Sequence, residues 1–143
     1  LGSGKALEHA TGPGLVLLYR TVAERAGTAA PDRTSGEIVS HALAGDCPVS
    51  RDSLELFCGF LGVVAGNVAL TLGARGGVFI GGGVVPHFAE FLKRSAFRER
   101  FEAKGRMSSY LQRIPTAVIM HPNPAFLGLS YLARTPARQA MAP

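Results

Sequence analysis

Cysteine is scarce in this chain, and its placement excludes several classes of protein. Among 143 residues only Cys47 and Cys58 occur, and they form no CxxC pair. The sequence therefore indicates neither a disulfide framework nor a zinc site. The four histidines also lack metal-ligand spacing. A reducing compartment is the simpler expectation, and we predict a cytoplasmic location.

Several nucleotide-binding and targeting signatures are also missing. The stretch GSGK at 2–5 lacks the leading glycine and the following Ser or Thr of a P-loop. There is no GxGxxG motif, no protein-kinase catalytic loop and no signal-peptide pattern. Because the chain begins at Leu1, we expect it to be a piece of a longer protein.

The composition is that of a globular domain with little charge. Hydrophobic residues make up 47% of the chain and charged residues 17%, which excludes a largely disordered protein. The length fits one domain with a core of ordinary size. A net charge of +5 permits an anionic partner but does not name one.

One uncharged run, residues 56–74, is close in length to a membrane span. Its glycines dilute the hydrophobicity, and Asn67 lies in its middle. Gly59, Gly62 and Gly66 fall on one helical face, where small residues allow close contact with a neighbouring element. We interpret the run as a core helix.

The remaining pattern predicts helices alternating with two short strands. Thr34 and Glu37 form a capping box for a helix that ends near Gly45, and Ser50 is the predicted N-cap of the long apolar helix. The apolar runs GGVFI and TAVIM predict strands buried on both faces. The predicted helices and strands are 13–25, 34–45, 50–72, 76–80, 84–94, 95–105, 116–120 and a final helix with Pro124 at its first position. This order predicts an α/β fold, a parallel βαβ unit flanked by helices.

Three consecutive glycines, Gly81, Gly82 and Gly83, follow the first predicted strand. In open α/β sheets, ligands bind outside the carboxyl ends of the strands, and a helix N-terminus there favours anions. One hypothesis is that a flat or anionic ligand rests on this bare backbone. The other is a tight strand-to-helix crossing without a ligand, and the residues alone leave both open.

Four motifs in a consistent order indicate a protein family more specifically than the glycine cluster alone. TGPGLVLLYR (11–20), ELFCGFLGVVAGNVALTLGARGGVFIGGGVVPHF (55–88), FRERFEAKGRM (97–107) and HPNPAFLGLSYL (121–132) together resemble the C-terminal half of bacterial glucokinases. The resemblance implies part of the large domain of an actin-like ATPase (ribonuclease H-like) fold. It also implies ATP, Mg²⁺ and glucose as ligands of the full protein, and a homodimer formed through this half. On this basis we expect a lead-in loop over 1–12, the domain portion over 13–134 and a flexible tail over 135–143.

The resemblance also implies site residues. In the family, the stretch that matches Gly81–Gly83 and Val84 is the adenosine motif, and the stretch that contains Thr11 and Gly12 lies near the cleft. The resemblance thus makes all six residues nucleotide-binding candidates. Glu8 is the nearest candidate for a glutamate that contacts glucose. It stands one position closer to the glycine than in the family pattern, so a solvated loop glutamate is the alternative interpretation. The chain also departs from the family at His87, where members usually carry arginine.

The catalytic machinery of the resembled family is missing from these residues. Its aspartate base, its first phosphate loops and its glucose-binding Glu/His pair all precede the matched region. Asp32, Asp46 and Asp52 lie in predicted turns, where capping and solvation are the default roles, so we assign catalysis to no residue of this chain. The full protein is then expected to phosphorylate glucose, and this chain alone to be inactive. The alternative is a non-catalytic nucleotide-binding or dimerisation module derived from the same family.

A basic stretch with interleaved aromatics raises nucleic-acid binding as a third hypothesis. Glu90, Glu99 and Glu102 interrupt the stretch, as in a solvated amphipathic helix with paired charges. We therefore predict no nucleic-acid partner and no membrane partner. The basic residues are Lys93, Arg94, Arg98, Arg100, Lys104 and Arg106.

Overall fold

The computed structural model describes residues 12–134, and these form a mostly helical α/β unit. The predicted lead-in before Gly12 and the predicted tail over 135–143 lie outside the described residues. In chain order the elements are α1 (Gly12–Arg25), α2 (Ser35–Ala44), α3 (Pro48–Thr71), β1 (Val78–Ile80), a 3₁₀ turn (Val85–Phe88), α4 (Ala89–Arg94), α5 (Phe97–Glu102), a second 3₁₀ turn (Gly105–Met107), α6 (Ser108–Gln112), β2 (Thr116–Val118) and α7 (Pro124–Arg134).

Helix α2 has the ends that the sequence predicts. The Thr34 hydroxyl accepts a hydrogen bond from the Glu37 amide at 3.3 Å, and the Thr34 amide donates to Glu37 Oε2 at 2.7 Å. These reciprocal bonds satisfy donors that a helix start otherwise leaves free. At the other end Gly45 takes a φ of 75°, a left-handed conformation that glycine adopts without a Cβ clash. The predicted capping box and the end near Gly45 are confirmed.

Helix α3 begins earlier than the sequence analysis predicts. Its N-cap is Cys47 in extended conformation, followed by Pro48 at the first helical position. Proline is favoured there because its φ is already helical and its missing N–H is not needed. Ser50 is therefore not the N-cap. It is buried inside the first turn, where its hydroxyl accepts a hydrogen bond from Arg33 Nη1 at 3.1 Å.

Helix α3 is the central element, and its glycine face contacts α5. A Cβ built on Gly62 would lie 2.2 Å from the carbonyl oxygen of Phe97, and one on Gly66 would lie 2.5 Å from that of Phe101. Glycine is therefore required at both positions for the helix backbones to approach.

By length and composition α3 could also cross a membrane, with a mean hydropathy of 1.7 over its most apolar window. Its contacts with α1, α2 and α5 are those of the predicted core helix.

The core lies where α3 meets the helices around it. Phe57 of α3 meets Phe88 edge-on, with ring centroids 6.0 Å apart, and both side chains are almost fully buried. Phe88 and Leu92 point inward as predicted, while Val84 and Phe91 are only partly covered. The burial of these large side chains is the main source of stability for the unit.

The two strands pair in parallel, as predicted, but they are not buried on both faces. Phe79 lies opposite Ala117 in the register, and its side chain is 71% exposed. Ile80, on the other face, is 8% exposed. The expectation of doubly buried strands is wrong because no described element covers the Phe79 face. A continuous apolar run shows that a face is apolar, but not what covers it.

Helix α7 begins at Pro124 as predicted, yet all its residues are exposed. Among the described residues it contributes nothing to the buried core. Its large exposed apolar side chains are Phe126, Leu127, Leu129, Tyr131 and Leu132.

Candidate functional site

The three glycines form an exposed loop directly after β1. Gly82 has a φ of 142°, a conformation that residues with a Cβ rarely adopt. A Cβ on Gly83 would meet nothing within 4 Å, and one on Gly81 would lie 3.5 Å from Ile119 Cδ1. Backbone geometry therefore requires glycine only at Gly82, while Gly83 borders open space.

The start of α1 reaches the end of this loop. A Cβ built on Gly12 would lie 3.5 Å from Ser35 Oγ and 3.6 Å from Val84 Cγ2. Gly12 and Val84, which lie 72 residues apart in sequence, are thus adjacent in the fold, and the start of α2 joins them. Thr11 and Glu8 lie outside the described residues.

A pocket of about 480 Å³ opens between the first turns of α2 and the loop after β1. We call it the glycine cleft. Glycine backbone and aliphatic side chains provide much of its surface, and hydroxyl, imidazole and carboxylate groups provide the rest. The lining residues are Ser35, Gly36, Glu37, Val39, Ser40, Leu43, Gly83, Val84 and His87.

The carboxylate that lines the cleft, that of Glu37, already has hydrogen-bond partners. Hydrogen bonds from the Thr34 backbone and side chain hold the pKa of Glu37 below its usual value of 4.5, since they favour the ionised form. The polar side chains of Ser40 and His87, by contrast, have no hydrogen-bond partner among residues 12–134. They are therefore available to a bound molecule.

The aspartates singled out in the sequence do not form a catalytic centre. Asp32 pairs with Arg20 at 2.9 Å, and Asp46 pairs with His41 at 2.9 Å at the end of α2. Asp52 is exposed on α3. Across the part of the chain that the structure describes, no group of three or more His, Cys, Asp or Glu side chains could hold a metal ion. These residues therefore do not fit a magnesium site.

The two cysteines have different environments. Partial burial raises the pKa of Cys47, but hydrogen bonds with Ser50 and the charge of Arg33 outweigh burial and lower it overall. Arg33 Nη1 lies 3.1 Å from the Cys47 sulfur. Burial raises the pKa of Cys58 to about 12, which agrees with its predicted role as a small core residue.

Three of the six basic residues of the basic stretch are engaged within the protein. Lys93 pairs with Glu90 and Arg98 with Glu102, while Arg98 also donates to the carbonyl oxygen of Ile114 at 2.8 Å. Lys104 donates to the carbonyl oxygen of Val63 on α3 at 3.2 Å. The two ion pairs are the paired helix charges that the sequence predicts, and the two bonds to backbone carbonyl oxygens tie the stretch to neighbouring elements.

A second pocket, of about 460 Å³, lies beside the sheet. Ile80, Leu92, Phe97, Val118 and Met120 are among its lining residues. None of the predicted nucleotide-binding residues borders it, so the glycine cleft is the better candidate site.

Comparison with known proteins decides the family. The family model described as Glucokinase matches residues 6–136, nearly the whole chain. The chain belongs to the glucokinase family. It is 52% identical over 126 residues to a glucokinase of Paramagnetospirillum magneticum, and 52% identical over 122 residues to the bifunctional protein glk of Paraburkholderia xenovorans. These alignments include 88% and 85% of the chain. The predicted resemblance to bacterial glucokinases is confirmed.

A solved structure supports the same glucokinase assignment. The crystal structure of a glucokinase from an Antarctic psychrotroph matches with a TM-score of 0.75 and 38% sequence identity, over 87% of this chain. The match includes 39% of that glucokinase chain. The chain likewise spans 39% of the Paramagnetospirillum protein and 19% of the Paraburkholderia one. It therefore corresponds to only part of a glucokinase.

The sequence indicates the wall of the glycine cleft that contains Gly83 and Val84, but not the wall that α2 forms. Gly83 and Val84 were singled out, but Ser35, Gly36 and Ser40 were not. The capping box shows where α2 begins, yet it carries no information about what the helix faces.

Proposed function

We propose that this chain is the C-terminal, nucleotide-side portion of a glucokinase large domain with the actin-like ATPase fold. The full protein would transfer the γ-phosphoryl group of ATP to the 6-hydroxyl of glucose. The family match and the relatives of about half identity support this proposal. The chain's 39% share of the Paramagnetospirillum relative supports a fragment.

The observation that carries the proposal is the juxtaposition of Gly12 with Ser35 and Val84, two residues that line the glycine cleft from α2 and from the loop after β1. Gly83 leaves its backbone open to an approaching molecule, and Val84 adds an aliphatic surface suited to a flat ring. We propose that the adenosine moiety of the nucleotide lies here, with Gly81 and Gly82 forming the turn beside it and Thr11 preceding Gly12.

The chemical step requires groups that the described residues do not supply. Phosphoryl transfer needs a base on the acceptor hydroxyl and a phosphate cradle with bound Mg²⁺. Since the described residues do not fit a metal site, we propose that the base, the phosphate loops and the Mg²⁺ ligands belong to the missing N-terminal half of the protein. Glu8 is our candidate contact to glucose from this chain.

An association surface is the second proposed role. Helix α7 exposes five large apolar side chains, and β1 exposes Phe79. We propose that the apolar face of α7 and the exposed face of β1 take part in a homodimer or pack against the missing half, in a cytoplasmic protein without nucleic-acid or membrane partners. The alternative function is a non-catalytic dimerisation or nucleotide-binding module. The exposed apolar side chains of α7 favour the dimerisation role in that alternative.

Glucose-dependent ADP production from ATP and Mg²⁺ tests the activity. We expect the 143-residue chain alone to produce none and the full-length protein that contains it to be active. A full-length protein that hydrolyses or transfers nothing would favour the non-catalytic module.

Binding of ADP to the chain tests the cleft. Gly83→Val puts a side chain into open space at the cleft, so we expect the fold to persist and ADP binding to fall at least tenfold. Gly76→Val is the matched control, because Gly76 also borders open space but does not line the cleft. Equal ADP affinity in both variants would place the nucleotide elsewhere.

A further inference from the structure

One face of α2 faces the 3₁₀ turn across the glycine cleft. Gly36, Ser40 and Leu43 are spaced four and three residues apart, so they share a face of the helix. Gly36 adds no side chain, Ser40 adds a hydroxyl and Leu43 adds an apolar wall that is 48% exposed. His87, the third residue of the 3₁₀ turn, lines the same pocket from the other side.

Four polar side chains line the cleft: that of Glu37 is committed, and those of Ser35, Ser40 and His87 have no hydrogen-bond partner among residues 12–134. Of the three, the Ser35 hydroxyl lies beside Gly12, at 3.5 Å from a Cβ built there. Glu37 Oε2 accepts bonds from both the amide and the hydroxyl of Thr34, at 2.7 Å and 2.8 Å. The Ser40 hydroxyl and the His87 imidazole are both exposed, and neither bonds to another residue in 12–134. Each can donate and accept a hydrogen bond.

This combination matches the chemistry of a purine base. A purine has two flat apolar faces and an edge with alternating donors and acceptors, and adenine presents the N6 amino donor beside the N7 acceptor. Leu43 and Val84 offer surface to the faces, while Ser40 and His87 offer partners to the edge. Ligand pockets in general combine an apolar lining with a few such orienting groups.

We propose that Ser40 and His87 bind the edge of the adenine base and determine the base preference of this protein. The proposal rests on the proposed function, since it deepens the assignment of adenosine to the glycine cleft. The two residues lie on different elements, α2 and the 3₁₀ turn, so the base also bridges those elements when it binds.

The test compares ADP with inosine diphosphate, which carries a carbonyl oxygen in place of the N6 amino group. Affinities of the full-length protein that contains this chain are measured for both nucleotides by titration calorimetry, with ligand-detected NMR if binding is weak. We expect ADP to bind more tightly than inosine diphosphate to the unmodified full-length protein. Ser40→Ala and His87→Phe should each weaken ADP binding about 3- to 10-fold, the usual effect of one lost hydrogen bond, and reduce the preference for ADP.

The variants are chosen so that folding and binding stay separable. Both positions are exposed, and His87→Phe keeps a flat ring, so an unchanged unfolding midpoint is expected. His87→Gln keeps a donor and an acceptor and should retain most of the ADP affinity. Ser130→Ala is the control, because Ser130 on α7 does not line the cleft and its hydroxyl bonds only to the carbonyl oxygen of Leu127 in its own helix.

The outcomes separate the two proposals. Unchanged ADP affinity and base preference in both variants would overturn the role of Ser40 and His87 while leaving the adenosine site intact. No binding of either nucleotide to the unmodified full-length protein would overturn the adenosine site as well. A loss of ADP affinity in Ser130→Ala equal to that in Ser40→Ala would show a general structural effect and would also overturn the inference.

Discussion

Single glycines on α3 set how closely its backbone approaches α5. We expect Gly62→Ala to lower the free energy of unfolding by about 1–3 kcal/mol, the usual cost of overpacking. The added Cβ would lie 2.2 Å from the Phe97 carbonyl oxygen and 3.1 Å from the Phe101 amide nitrogen, and backbone atoms cannot move aside cheaply. Urea unfolding followed by circular dichroism measures the change.

Gly59→Ala is the matched control on the same face of α3. The nearest atom to its added Cβ is the flexible Arg100 Cγ at 3.7 Å, an ordinary contact. Alanine favours a helix over glycine, so stability should stay unchanged or rise by up to about 1 kcal/mol. If Gly62→Ala proves as stable as Gly59→Ala, the close approach of α3 and α5 is wrong.

Contacts between residues close together in sequence could be predicted, whereas contacts with residues far along the chain could not. The Thr34–Glu37 box needs only four consecutive residues, and it forms as predicted. Ser50 was mistaken for a cap because a buried serine and a capping serine look alike in sequence. Pro48 marks the earlier start of α3 locally, while the partner of the buried Ser50 hydroxyl, Arg33, lies 17 residues away and could not be read from the sequence.

At the scale of elements, α2 depends on its first turn, which also borders the glycine cleft. We expect Thr34→Ala to lower the free energy of unfolding by about 1 kcal/mol at pH 7, the typical effect of losing an N-cap. The loss should become smaller in acid. Because the folded pKa of Glu37 is lowered, its contribution is full above the usual value of 4.5 and is lost as pH falls through the folded value.

Unfolding at several pH values between 7 and 3 checks this expectation. Thr21→Ala is the control, since the Thr21 hydroxyl bonds only to the Leu17 carbonyl oxygen within α1 and caps nothing. A difference between Thr34→Ala and the unmodified chain that grows as pH falls would contradict the role given to the ionised Glu37.

Helices were predicted more accurately than the surroundings of the strands. The periodic and capping signals of α1 and α2 lie within the helices themselves, so their bounds came out within a residue or two. The strands were correctly predicted as parallel partners, yet Phe79 is exposed. No element among residues 12–134 covers it, and a local pattern cannot show what covers the face of a strand.

At the scale of the whole molecule, the apolar surface left open is large for a single soluble unit. Two strands are too few for an independent sheet, and α7 exposes Phe126, Leu127 and Tyr131. We expect the 143-residue chain to self-associate as its concentration rises. Sedimentation velocity over a hundredfold range of concentration measures this association.

A charge placed on that surface should reverse the association. Phe126→Glu is expected to shift the chain toward monomer. Leu72→Glu is the control, because Leu72 is also well exposed but lies at the end of α3, away from α7 and the strands. A chain that stays monomeric at every concentration, or a Leu72→Glu variant that dissociates as readily, would contradict the association surface.

Gly62 and Gly83 are constrained in different ways, which two mutational screens would separate. Gly62 is confined by its own protein, so a library sorted for folded, abundant chains should reject substitutions there. Gly83 meets no neighbouring atom within 4 Å, so the same sorting should accept substitutions at that position. Only a library sorted for retained nucleotide would reject them. If substitutions at a position pass the screen for folded chains but fail the screen for retained nucleotide, the ligand and not the fold constrains that position.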